Sequence, residues 1–310
     1  MASNIKITFL GTGGSLPKPG RALPAVAVHI DDVLNLFDCG EGTQKQIMKS
    51  SISYMDIKNI FITHFHGDHF LGLAGLINTM SFSGRENDLN IYGPPGAIYF
   101  VKKIIDLGYY SLNFNIKITE LDYGKTYDLG KFLLRTLKSD HPVPAISYSI
   151  EEKDAYKIDR NLVDKINFPV NKLEALRSLG RLEINNKIFK IEDVSLGIKK
   201  GRKIVYSGDT RPLNSMVEFA KNADVLIHDS TMDSSMEPMV NAYGHTSSRQ
   251  AAEIARDANV KKLYLFHYSA RYNDLKILLN DALSVFPRTY LSTELMDVDV
   301  PKDTEVIPLH

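Results

Sequence analysis

The segment "IFITHFHGDHFLGLAGL", residues 60–76, narrows the possible folds more than any other stretch. It sets His64, His66, Asp68 and His69 within six positions. The "NIFIT" run before them is apolar and β-branched, the mark of a buried strand. "FLGLAGLINTM" spaces its apolar residues as a helix does, so a helix is expected to begin near Asp68. The cluster therefore falls on a strand-to-helix turn. Asp68 and His69 lie at the helix N-terminus, where a carboxylate also suits the dipole. An N-cap aspartate among polar loop histidines is the plain alternative. Three imidazoles and a carboxylate at this density point instead to a metal site of the zinc type.

The same plan recurs along the chain. "VLNLFD" ends at Asp38, "KFLLRTLKSDH" at His141, and "RKIVYSGD" at Asp209. "ADVLIHD" ends at His228 and Asp229, and "KKLYLFH" at His267. Each reads as an apolar strand that delivers a polar group at its C-terminal end. In layered α/β proteins, sites are assembled on the loops at strand ends. A pair of zinc ions ~3.5–4 Å apart needs about three protein ligands each and a bridging carboxylate. His64, His66 and His141 can serve one ion. Asp68, His69 and His267 can serve the other, and Asp209 can bridge. The set is nitrogen and oxygen only, which favours zinc, with manganese possible.

Composition limits the partners and the setting. The 310 residues suit one large domain or two small ones, and at 44% hydrophobic the chain can bury a full core. The formal net charge is +0, so no global field draws it to nucleic acid or to an anionic membrane. A polyanionic substrate would have to meet a local basic patch. The single cysteine, Cys39, excludes a disulfide framework. It follows a buried strand with no activating pair assigned, so it is read as structural. The start "MASNIKITFLG" has no signal-peptide plan, and no run is long enough to span a membrane. A soluble, cytoplasmic protein is expected. His29 and His310 carry no assigned role.

"THFHGDH" matches the signature of the metallo-β-lactamase superfamily. With "FLGTGGSLP", "LFDCGEGTQ", "IYGPPG", "DHPVPAISY", "YSGDTRP", "IHDSTM", "GHTSSRQAAEIA" and "FHYSARY", the chain resembles its ribonuclease Z branch over nearly its whole length. The resemblance implies an α/β fold, a four-layer αββα sandwich with the dinuclear site at one edge, here residues 1–310 as a single domain. It also implies a homodimer, and it lays the family's metal ligands on the seven residues above. Asp38 would support the site without binding metal, and Asp68 would double as general base for the attacking water. A glutamate of the family pairs with a later histidine to move a proton to the leaving group; here Asp229 and His245 stand in those places. Aspartate is one methylene shorter, so its hydrogen bond to His245 is left open as lost, strained or bridged by water. His228 is read as a structural hydrogen-bonding residue.

Two segments depart from the family pattern. Residues 151–192 occupy the place of the tRNA-binding arm, without its Gly-Pro motif. They hold nine Lys or Arg against eight Asp or Glu, a weak surplus for holding phosphates. Lys172, Arg177 and Arg181, with Lys153, Lys157, Arg160 and Lys165, could form one basic face; a solvated mixed-charge helical insert is the alternative. In "SLPKPGRALPA", Lys18 and Arg21 keep the charge of a loop that in the family senses the CCA end, but Ala22 replaces its asparagine. The expected activity is a zinc-dependent endoribonuclease that removes 3′ trailers from precursor tRNA and leaves a tRNA 3′-hydroxyl. The rivals are a hydrolase of a small phosphodiester or cyclic nucleotide, and an RNA-binding module with a decayed site.

Overall fold

Strict alternation along the strands builds the layers. In Lys203–Tyr206, Ile204 and Tyr206 face one way and Val205 the other. In Val225–Asp229, Val225 and Ile227 oppose Leu226; in Leu263–Phe266, Tyr264 and Phe266 oppose Leu263 and Leu265. A period of two puts successive side chains on opposite faces, so each strand is buried on both sides. The computed structural model describes residues 5–109 and 111–308, and His310 lies outside them.

Residues up to 150 together with 203–301 make one compact unit. It holds two seven-stranded sheets. The first includes Ile5–Gly11, Ala25–Ile30, Val33–Phe37, Ile57–Phe61, Leu89–Gly93 and Ile116–Glu120, the last four mutually parallel. The second includes Phe132–Lys138, Ile146–Glu152, Lys203–Tyr206, Val225–Asp229, Leu263–Phe266 and Thr289–Leu291, the last four also parallel. One core joins the sheets face to face: Phe9, Val28, Phe37 and Phe61 meet Phe132, Tyr148, Tyr206 and Phe266. The outer face of the first sheet is covered by the helices Gly72–Phe82 and Ala97–Ile105. The outer face of the second is covered by Ser248–Asp257 and Lys276–Leu283. This is the αββα sandwich that the motifs imply.

Residues 151–202 with 302–308 make a second unit. Ala155–Ile158 pairs antiparallel with Ser195–Lys199, and Arg181–Ile184 with Lys187–Lys190. The hairpin turns on Asn185 and Asn186, both at positive φ, which asparagine tolerates. Val163, Phe168, Leu176, Phe189, Ile191 and Val194 give this unit its own small core.

The helix expected near Asp68 is two helices, Gly67–Phe70 and Gly72–Phe82, broken at Leu71. The break follows from backbone docking: the Gly72 N–H donates to the Cys39 carbonyl at 2.9 Å and the Cys39 N–H to the His69 carbonyl at 2.7 Å. Only glycine permits this approach, since a Cβ at position 72 would stand 2.1 Å from the Gly40 oxygen. Gly72→Ala should lower stability by about 1–3 kcal/mol, the usual range for overpacking. Gly75→Ala, whose Cβ would meet the flexible Gln44 side chain, should be near neutral. Urea unfolding at fixed metal concentration measures both; equal effects would contradict the docking argument.

Candidate metal centre and active site

The parallel strands end on one group of side chains. Asp38 follows Val33–Phe37, His64 follows Ile57–Phe61, His66 caps the short helix Gly67–Phe70, and Asp68 and His69 lie in its first turn. Asp209 follows Lys203–Tyr206, Asp229 ends Val225–Asp229, and His267 follows Leu263–Phe266. His141 lies beyond Phe132–Lys138, and His245 precedes the helix Ser248–Asp257.

The ligand atoms of His64, His66 and His141 lie together, and those of Asp68, His69 and His267 form a second group. His66 Nδ1 is 3.0 Å from His64 Nε2 and 3.1 Å from His141 Nε2. His69 Nε2 and His267 Nε2 are 3.3 Å apart. Asp209 Oδ2 stands between the groups, 3.6 Å from His64 Nε2 and 3.3 Å from both His69 Nε2 and His267 Nε2. Its other oxygen, Oδ1, is buried without a hydrogen-bond partner.

The outer hydrogen bonds decide what these nitrogens offer. His69 Nδ1 donates to Asp38 Oδ2 at 2.8 Å and His141 Nδ1 to the Gly244 carbonyl at 2.9 Å, both pure acceptors. The Thr63 hydroxyl is 2.9 Å from Asp38 Oδ2, to which it can only donate, and therefore accepts from His64 Nδ1 at 3.0 Å. The Thr231 hydroxyl likewise donates to Asp229 Oδ1 at 2.7 Å and accepts from His267 Nδ1 at 3.0 Å. In the neutral ring, each of these four histidines turns a bare Nε2 lone pair inward. With these rings neutral, lone pairs and carboxylate oxygens converge on one another, a donor set that fits cations, and as nitrogen and oxygen it fits zinc or manganese.

The electrostatics agree. Burial, and then His69, hold His64 well below the ordinary imidazole range. Burial also lowers His66 and His141. Burial pushes His69 down too, but Asp209, Asp38 and Asp68 outweigh it and raise it well above that range. Asp68 is lowered despite burial, by His69 and His267. The carboxylates thus require positive charge at the centre of the site.

Asp68 is fixed from outside the cluster. Its Oδ2 accepts from the Ser15 backbone N–H at 2.7 Å, with Ser15 at φ +61. Gly14 lies against the His267 ring, where a Cβ would come within 2.3 Å. Asp229 and His245 are in direct contact: Nδ1 to Oδ2 is 2.9 Å. The shorter side chain neither loses this bond nor needs a bridge, because Asp229 is buried in the strand end and takes Thr210 N at 3.2 Å and Thr231 N at 3.1 Å as well. His228 is buried and its Nδ1 donates to the Asp229 carbonyl at 2.8 Å.

The remaining sequence candidates stand apart from this cluster. Lys18 Nζ donates to the carbonyls of Ala270 and Tyr272, at 3.2 Å each, and to Asn273. Arg21 donates to Tyr272 O at 3.2 Å and lies over the Tyr268 ring. Both cations therefore brace the segment after His267. They also line a cavity of about 560 Å³ with Lys45 and Lys49. Lys172, Arg177 and Arg181 are exposed in the second unit, Arg177 beside Glu174 at 3.4 Å. Cys39 is buried, and burial pushes its thiol up to about 12, which leaves it no nucleophilic role. The motifs do not single out Thr63, Thr231 and Ser15, which hydrogen-bond His64, His267 and Asp68, or Tyr206, which hydrogen-bonds Asp38.

Burial lowers the His245 pKa, but Asp229 and Asp209 overcome it and raise it to about 9. In protein stripped of metal, NMR titration should find His245 protonated through neutrality and losing its proton near that value. The stability lent by the pair is then complete below about 6.5 and lost as pH rises through about 9. Asp229→Asn should bring the titration down. A midpoint near 6.5 in the parent chain would contradict the pairing.

Two sequence models match the chain. One for the beta-lactamase superfamily domain covers residues 168–268, and one for the anti-Pycsar protein Apyc1 covers residues 5–152. The chain is 59% identical over 309 residues to ribonuclease Z of Picrophilus torridus, covering 100% of both. It is 60% identical over 300 residues to ribonuclease Z of Thermoplasma acidophilum, covering 97% of this chain and 98% of the relative. Among solved structures, human tRNase Z, short form, superposes with a TM-score of 0.70 at 28% identity, covering 96% of this chain and 99% of the other. The metallo-beta-lactamase fold protein YhfI of Bacillus subtilis reaches the same TM-score at 20% identity with the same coverage, a likeness of fold alone. With full-length identity of this order, the chain belongs to the ribonuclease Z family of the metallo-β-lactamase superfamily.

Proposed function

We propose that this chain is a tRNA 3′-processing endoribonuclease that hydrolyses one phosphodiester of precursor tRNA, frees the 3′ trailer and leaves a 3′-hydroxyl. The observation that carries the reading is 59% identity to a ribonuclease Z from end to end. His64, His66 and His141 would hold one divalent ion and Asp68, His69 and His267 a second, with Asp209 within reach of both groups; the nitrogen–oxygen donor set suits zinc or manganese. Ions there supply Lewis acidity, neutralising charge on the phosphate and favouring ionisation of water.

The chain's own residues handle the protons. Asp68, steadied at Oδ2 by Ser15, takes the proton of the attacking water as the new P–O bond forms. His245, anchored at Nδ1 by Asp229, gives a proton from Nε2 to the 3′ oxygen as its bond to phosphorus breaks. Asp38 supports this arrangement by holding Thr63 and His69.

The tRNA body is held by the arm, residues 151–192, through Lys172, Arg177 and Arg181, all exposed. Lys18 and Arg21 contribute a basic wall beside Lys45 and Lys49. Leu71, Phe82, Ile98 and Tyr99 are exposed in the first unit, apolar surface that a homodimer would cover. No helix among the described residues is long and apolar enough to cross a membrane; a cytoplasmic location fits a tRNA substrate.

The direct test is incubation of the purified protein with a 3′-extended tRNA, with and without chelator, and mapping of the cut. Reversal of Lys172, Arg177 and Arg181 to glutamate should raise KM for precursor tRNA and reduce its salt slope by about one for each phosphate no longer bound. Hydrolysis of a small aryl phosphodiester should be unchanged. Parent-like cleavage at every salt concentration would remove the arm from the account.

A further inference from the structure

We infer that Arg211 is a positioning residue that seats His245 for proton donation; the inference rests on the proposed role of His245. Arg211 follows Asp209 by two residues and is outside both ligand groups. Its guanidinium reaches two other chain segments. Nε donates to the Asn241 carbonyl at 2.6 Å and Nη2 to the Ala242 carbonyl at 3.2 Å. Nη1 meets Asp140 Oδ1 at 2.9 Å, and the Arg211 backbone N–H donates to the Asp140 carbonyl at 2.9 Å.

Each of these partners lies on a segment that leads into a site residue. Asn241 and Ala242 end the helix Glu237–Ala242, and the Asn241 carbonyl takes the Gly244 N–H at 3.1 Å as well as the guanidinium. The chain then turns through Gly244, at φ +90, and delivers His245. The Gly244 carbonyl accepts from His141 Nδ1 at 2.9 Å, and the His245 N–H donates back to Val240 O at 3.1 Å. Asp140 directly precedes His141. One planar fork therefore fixes the spacing of the segments bearing Asp209, His141 and His245. Lysine, with a single ammonium, cannot reproduce a fork that spans three acceptors.

The electrostatic value of the Arg211–Asp140 pair is small, since the two side chains are 31% and 50% exposed. Its effect is on geometry. His245 must stay 2.9 Å from Asp229 and present Nε2 to the departing oxygen. A misplacement of about 1 Å in such a contact lowers a rate by about 10²-fold.

The test uses metal-loaded protein and two precursor tRNAs, one normal and one with the scissile 3′ oxygen replaced by sulfur. A thiolate leaves without a proton, so the second substrate does not need the donor. His245→Ala should slow the oxygen substrate by roughly 10²–10⁴-fold and leave the sulfur substrate near the parent rate. Arg211→Met should show the same selectivity, with up to about 10²-fold loss on oxygen, unchanged KM and unchanged metal content. Arg211→Lys should fall between, and it serves as the test if the methionine variant folds poorly. Arg211 variants that slow both substrates equally, or neither, overturn the inference while His245 keeps its role. If His245→Ala itself shows no selectivity, the proton-donor assignment falls and the inference with it. A parent chain that cuts neither substrate overturns the functional reading on which both stand.

Discussion

The carboxylate of Asp38 carries the rest of the site. It is fully buried and faces the back of the cluster. It accepts from Thr63 N at 2.7 Å, from the Thr63 hydroxyl, from His69 Nδ1 at 2.8 Å, and from the Tyr206 hydroxyl at 2.8 Å. Asp38 and Thr63 follow adjacent strands of the first sheet, while Tyr206 ends a strand of the second. One side chain therefore ties the two sheets at the edge where the ligands emerge. Its backbone sits at φ +55, a conformation that costs a non-glycine residue on the order of 1 kcal/mol and persists only when its surroundings enforce it. Here its own hydrogen bonds hold it: the Asp38 N–H donates to the Phe61 carbonyl at 2.9 Å, and the carboxylate takes the donors named above.

This anchoring converts a packed core into a prearranged charge pattern. The hydroxyls of Thr63 and Thr231 relay acidic oxygens to imidazoles, so the tautomers of His64 and His267 are set before any ion arrives. Inward lone pairs and the buried Asp209 carboxylate then leave a strong requirement for positive charge. Protons on His69 and His245 can answer it in part. Bound cations would answer it in full.

Much of this was legible in the sequence, because strand ends punctuated by His or Asp leave a local signature. The pattern names His64, His66, His141, Asp68, His69, Asp209 and His267 as candidates, and the fold brings their side chains together. The supporting hydroxyls were not legible: Thr63 and Tyr206 sit inside strand-like runs, where threonine and tyrosine are ordinary β formers. Lys18 and Arg21 show a different limit. Composition marks them as cations but not what their donors reach, and in the fold they reach carbonyls of residues 270–272. Asp229 shows a third. A side chain shorter than the family's glutamate suggests a gap, yet the position of the strand end relative to His245 closes it to a direct hydrogen bond.

The claim at the centre of this account is that the cluster is a cation site in which Asp209 serves both ligand groups. Calorimetric titration of zinc into stripped protein tests it most directly. The account predicts two ions per chain in the parent, and loss of affinity for both in Asp209→Ala. Unaltered binding of both ions by the variant, or full cleavage activity in the metal-free parent, would contradict it.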